Sequence, residues 1–98
     1  MNEFNHISAV KAHELIAENN SDLIIIDLRT EFEFLSSHLE NAVNIDIYNP
    51  NFEEEIKKLD RNKIYLLYCA RGNRSSRAME LMKTFGFRKI YNVLDSIV

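Results

Sequence analysis

Ninety-eight residues with a formal net charge of −3, 46% of them hydrophobic and 28% charged, are enough for one core and too few for two, so the expectation is a single domain over residues 1–98. No apolar run approaches the roughly 20 residues that span a bilayer, and the first residues lack the basic start and apolar stretch of a signal peptide, which argues against a membrane partner. A lone cysteine cannot close an internal disulfide, and with three scattered histidines it has no metal-ligand spacing; a cytoplasmic protein without metal or cofactor is expected.

In chain order, His6 precedes the first predicted element. Ser8 is placed to cap a helix over about 9–19, with Ala9, Ala12, Leu15 and Ile16 on one face and His13 in solvent. Asn19-Asn20-Ser21-Asp22 reads as a turn, and Leu23-Ile24-Ile25-Ile26, ending at Asp27, as a strand buried on both faces. Thr30 and Glu33 form a T-x-x-E capping box for a short helix over about 31–36. Ala42-Val43-Asn44-Ile45 suits a short strand. Asn51 is placed to cap a third helix that buries Phe52, Ile56 and Leu59, with Glu53–Glu55 in its first turn and Lys57 and Lys58 in its last, as the helix dipole favours. Ile64–Tyr68 is the second strongly apolar strand, a helix over about 74–85 follows, Gly86 ends it, and Arg88–Val93 supplies one more strand. Strands alternating with helices at short spacing imply an α/β fold, a mostly parallel central sheet flanked by helices on both faces.

Between the second apolar strand and its helix lies Cys69-Ala70-Arg71-Gly72-Asn73-Arg74-Ser75, which holds the only cysteine. In parallel sheets, sites form at the carboxyl ends of strands, where both Asp27 and Cys69 fall. A helix N-terminus presents free N–H groups and the positive end of a dipole, and two arginines lie inside the turn, with Arg77 in the first helical turn. Such surroundings favour thiolate over thiol and predict an activated cysteine rather than a buried core thiol. Charge is asymmetric: residues 1–60 carry four Lys and Arg against thirteen carboxylates, and residues 61–98 carry eight against two. The basic half suits a small anionic substrate; two halves neutralising each other is the equally weighted alternative. A net acidic chain lacks the basic footprint of a nucleic-acid binder.

Three segments resemble a known family. Asp27-Leu28-Arg29 followed by Glu31-Phe32-Glu33-Phe34 looks like the Asp-x-Arg and Glu-Phe/Tyr stretch of single-domain rhodaneses. His38-Leu39-Glu40-Asn41-Ala42-Val43-Asn44-Ile45 is similar to their His-Ile-x-Gly-Ala-x-Asn-Ile segment. The cysteine loop is the third, and Gly86 to Asn92 matches a Gly-Phe-x-x-Ile/Val-Tyr-Asn tail. The resemblance covers about Ile7 to Val93. Ser37 stands where the family usually has glycine, and Glu40-Asn41 replace a common Pro-Gly pair, with Asn41 able to keep the turn in a left-handed conformation. The chain reads Leu94-Asp95-Ser96-Ile97-Val98 where rhodaneses commonly continue with Gly-Gly and a terminal helix.

The resemblance implies a sulfurtransferase. Cys69 takes a sulfane sulfur from a small anionic donor such as thiosulfate and passes it, as a persulfide, to a thiophilic acceptor: cyanide, a low-molecular-weight thiol or a protein thiol. Its requirements are legible in the loop. The N–H groups from Cys69 to Arg74 can curl around the sulfur as a nest. Gly72 permits a backbone closed to other residues, Ala70 leaves room, Asn73 continues the loop, and Arg71 and Arg74 suit an anionic leaving group such as sulfite. Ser75 suits a helix cap slightly better than a hydroxyl donor. Asp27, Arg29 and His38 are expected as structural support, His38 through a hydrogen bond that holds the turn before Ala42. Phosphatases of this fold use Cys-x5-Arg, but the residue six after Cys69 is Ser75, so the loop is one residue too short for phosphate or arsenate chemistry. Two alternatives remain: a persulfide carrier fed by a partner protein, and a non-catalytic binding module.

Overall fold

The computed structural model describes residues 1–98. Strands β1 (Glu3–Ile7), β2 (Leu23–Asp27), β3 (Val43–Asn44), β4 (Ile64–Tyr68) and β5 (Lys89–Val93) alternate with helices α1 (Ala9–Ala17), α2 (Glu31–Ser36), α3 (Phe52–Lys57) and α4 (Asn73–Thr84). The sheet is five-stranded, ordered β1-β5-β4-β2-β3, and every pairing is parallel. No helix is long and apolar enough to cross a membrane.

Because successive strand residues face opposite sides, the sheet divides the core in two. Tyr65 and Leu67 of β4, with Cys69 just after it, join Ile26, Leu28 and Ile90 on the face covered by Phe52 and Ile56 of α3 and by Ala78, Met79 and Met82 of α4. Leu66 and Tyr68 join Ile25 and Val93 on the other face, beneath Ala12 and Ile16 of α1. The expected helices on both faces are present, and strand parity alone delivers Cys69 to the side that α4 returns to cover.

Several local expectations hold. Ser8 accepts the Lys11 N–H and caps α1, and Thr30 and Glu33 form the reciprocal box at α2. Asn41 adopts φ 68°, the left-handed turn proposed for it. Other expectations need correction. Glu3–Ile7 is a strand, so His6 lies within the first element rather than before it; this edge strand has only Phe4 and Ile7 to signal it and is held by pairing with β5. Asn51 makes no side-chain cap to α3, and α1 stops at Ala17 rather than 19. Met79 of α4 is fully buried, as is Met82.

Where β2 ends, the Asp27 carboxylate is fully buried and accepts the backbone N–H, Nε and Nη2 of Arg29, with Nη2 at 2.7 Å. The same Nη2 reaches the Ser37 carbonyl at 2.6 Å, so one guanidinium ties the strand end to the far end of α2. Arg29→Ala would leave a buried carboxylate without its counter-ion. It should cost about 3–5 kcal/mol, seen as a lower urea midpoint at unchanged slope.

Candidate active site

Cys69 follows the last residue of β4 and is 3% exposed. The chain then doubles back. Gly72 takes φ 90°, and α4 begins at Asn73 with its first turn over the sulfur. The Gly72 N–H donates to Cys69 Sγ at 3.1 Å, the Ser75 N–H reaches it at 3.4 Å, and the Ser75 hydroxyl lies 3.3 Å away. Burial by itself pushes the thiol up. The Ser75 hydroxyl and the amides of Ser75, Arg71 and Gly72 outweigh that effect and leave Cys69 below the ordinary thiol range.

Gly72 is required twice over. Its φ lies in the left-handed region, and a Cβ there would sit 2.9 Å from Leu94 Cα and 3.0 Å from the Val93 carbonyl oxygen. The end of β5 is thus pressed against the loop and forms its floor.

Arg74 points away from the sulfur's donors and onto α2. Its Nη1 and Nη2 make a two-pronged contact with the Glu33 carboxylate at 2.7 and 3.0 Å. Glu33 therefore serves the capping box, as expected, and also the loop, which spacing did not reveal. The Arg74 guanidinium, opposed by partial burial and aided by the Thr30 N–H and hydroxyl, holds the Glu33 carboxyl down at about 2 against an ordinary 4.5.

Asp27 and Arg29 pair at the end of β2, whereas His38, expected to hold the turn before Ala42, instead bonds back to α2. Arg29 lies 5.6 Å from the Tyr68 ring centroid, and the Tyr68 hydroxyl accepts the Leu39 N–H at 3.1 Å. Burial and the neighbouring Asp27 carboxylate push that phenol up to about 12, against the opposing pull of the Leu39 amide and Arg29. His38 Nδ1 bonds the Phe34 carbonyl at 2.7 Å while its ring stacks on Phe34 at 3.7 Å, so it closes the C-terminal end of α2.

Ser75, favoured as a cap, is the third helical residue; Gly72 is the cap position, and the buried Ser75 hydroxyl faces the sulfur instead. Ala70, Arg71 and Asn73 are exposed around the rim. Arg77 is exposed too, with its guanidinium 5.9 Å from the ring centroid of the exposed Tyr48, a neighbour that sequence spacing could not supply. No three His, Cys, Asp or Glu side chains gather as metal ligands.

The family model described as the Rhodanese-like domain matches residues 8–98. The chain belongs to the rhodanese-like domain family. A rhodanese-related protein from Thermoplasma volcanium is 31% identical with a TM-score of 0.78, covering 95% of this chain and 86% of that one. A rhodanese-like domain protein from Staphylococcus aureus, 24% identical with a TM-score of 0.82 over 95% of this chain and 87% of that one, shares the fold. Among curated relatives, the tRNA uridine(34) hydroxylase of Buchnera aphidicola is 33% identical over 82% of this chain and 26% of its own length. That of Pelagibacter ubique is 30% identical over 96% and 31%. The rhodanese-like chain thus spans about a quarter to a third of these relatives.

Two outcomes follow from the geometry of this rhodanese loop. Ser75→Ala removes the hydroxyl from the sulfur and keeps the backbone amide. The pH profile of iodoacetamide alkylation should move upward, with alkylation at neutral pH several-fold slower. Glu33 has a depressed folded-state value, so its stabilising contribution is present above the ordinary 4.5 and is lost as pH falls through about 2. The stability gap between the parent protein and Glu33→Gln should be widest above about pH 5 and narrow towards pH 2 in denaturant titrations. A gap that stays constant over that range counts against the assignment.

Proposed function

We propose that this chain is a sulfurtransferase that works through a persulfide on Cys69. The observation that carries the reading is the convergence of the Gly72 and Ser75 amides and the Ser75 hydroxyl on one buried sulfur at the end of β4. Membership of the rhodanese-like family supports it.

In the proposed first step, the Cys69 thiolate attacks the outer sulfur of a thiosulfate-like donor. A new S–S bond forms, the donor's own S–S bond breaks, and its electron pair departs with sulfite. The loop amides that held the thiolate then hold the persulfide. In the second step a thiophile attacks the outer persulfide sulfur and carries it away, thiocyanate forming when cyanide is the acceptor, and Cys69 returns as thiolate. Neither step needs an external oxidant, and the loop donors that lower the Cys69 thiol favour its ionised form, so no partner base is invoked.

Arg71 is exposed and joins none of the ion pairs, so we assign it the contact with the anionic donor. Arg74, whose two terminal nitrogens are taken by Glu33, is assigned to positioning the loop rather than to meeting the anion first.

Intact mass of the reduced protein after brief exposure to thiosulfate should rise by one sulfur atom. Cyanide should reverse the gain with release of thiocyanate, and Cys69→Ala should show neither change while remaining folded. A reduced, accessible Cys69 that gains no mass from thiosulfate would overturn the thiosulfate route; loading from a protein persulfide would then identify a carrier.

A second reading is favoured by the name of the curated relatives and by the exposed Arg71, Arg77 and Tyr48 beside the loop: that the chain acts on tRNA uridine. The acidic composition argued against nucleic acid. Retention of tRNA that weakens in the Arg71→Ala and Arg77→Ala variants, and with rising salt, would favour it.

A further inference from the structure

Asn92 is fully buried, and its Oδ1 is the one buried side-chain oxygen or nitrogen in the chain without a hydrogen-bond partner. Its position is specific. Asn92 pairs in register with His6 of β1 on one side and Leu67 of β4 on the other. By strand parity it shares a sheet face with Ile90, Leu67 and Cys69, beneath the start of α4. Its Nδ2 lies 3.0 Å from His6 Nδ1 and 3.4 Å from the Gly72 carbonyl oxygen. The amide nitrogen is the donor, so His6 accepts through Nδ1 and carries its ring proton on Nε2.

Gly72 needs such a contact more than any other loop residue. A glycine has no side chain to lock its backbone and ranges over more conformations than other residues. Yet its N–H makes the shortest hydrogen bond to Cys69 Sγ, and its carbonyl accepts the Ser76 N–H at 3.0 Å to open α4. A residue that only filled core volume here would be apolar, like its neighbours Ile90 and Val93 on β5. A buried amide with an unpartnered oxygen is the expensive choice, and what it gains is a donor turned towards Gly72.

We propose that Asn92 is a positioning residue of the cysteine loop: its amide, oriented by the exposed His6, holds the Gly72 carbonyl so that the N–H of the same glycine stays aimed at Cys69 Sγ. This deepens the reading of Cys69 as the nucleophile and rests on it.

The test is an NMR titration of the isotope-labelled Cβ of Cys69, the single cysteine, in the parent protein, Asn92→Leu and His6→Ala, with thermal unfolding in parallel. Leucine keeps the branched outline of asparagine but is larger, and it removes both the orphaned oxygen and the amide donor, so a purely structural role predicts an unchanged thiol titration whatever the change in stability. The proposal predicts that the Asn92→Leu titration midpoint rises by about one pH unit in a protein that still unfolds cooperatively. His6→Ala should shift it in the same direction by less. An Asn92→Leu midpoint equal to that of the parent overturns the proposal. Should Asn92→Leu fail to fold, His6→Ala decides alone: an upward shift supports the proposal and an unmoved midpoint overturns it. The titration needs no sulfur donor, so a parent protein that fails to load sulfur would sink the sulfur-transfer reading and leave this result standing.

Discussion

A sulfur withdrawn from water can hold negative charge only where other donors replace the water it has lost, and the carboxyl end of this sheet is arranged around that constraint. Cys69 is nearly inaccessible, so its donors must come from the chain itself. The chain supplies them by turning back within three residues, which places Gly72 in the left-handed region and the first turn of α4 above the sulfur. The turn is tight enough that the ends of β4 and β5 and the start of α4 meet without room for a Cβ. Side chains at the periphery then fasten the two ends of the turn: Arg74 to α2, Arg29 from Asp27 to the Ser37 carbonyl, and Tyr68 to Leu39.

Three arginines within seven residues have three different surroundings. Arg71 faces solvent, Arg74 is clamped by Glu33, and Arg77 lies over Tyr48. Their positive charge is partly balanced across the molecule, since Arg74–Glu33, Lys63–Asp22 and Lys89–Glu3 each join the basic second half to the acidic first. The charge asymmetry thus has a structural use, and of the cations that join no ion pair Arg71 and Arg77 lie beside the cysteine loop, while Arg61 and Arg88 lie at the start of β4 and β5. Exposed pairs such as Lys63–Asp22 contribute little. The Arg74–Glu33 contact, two-pronged and partly sheltered, is the one that fixes a shape.

Much of this was legible in the chain because it depends on local pattern. The apolar runs of β2 and β4 announce central strands, the Thr30–Glu33 spacing announces a cap, and an arginine-rich turn after an apolar run announces an anion-holding loop. What escaped depends on contacts between distant residues. β1 is a strand because β5 lies beside it, not because its own residues prefer one. The partner of Arg74 lies 41 positions away, and Ser75 became a sulfur donor once the helix began three residues earlier than the start that would have made it a cap. Asn92 left a faint trace: it alternates with Ile90 on a strand that reads as core-facing, so a polar residue there marks a buried amide in need of a reason.

The sheet order also dictates when the cysteine can become reactive. β1 and β5 are neighbours although 86 residues separate His6 from Asn92, so this pairing closes almost the longest loop the chain can make. Such contacts of large sequence separation form slowly and late. During synthesis from the N-terminus, β4 and the cysteine emerge before the strand that supplies the floor of the loop, and until β5 docks nothing presses on Gly72. The donors of the loop therefore converge on Cys69 only once β5 has docked beneath Gly72.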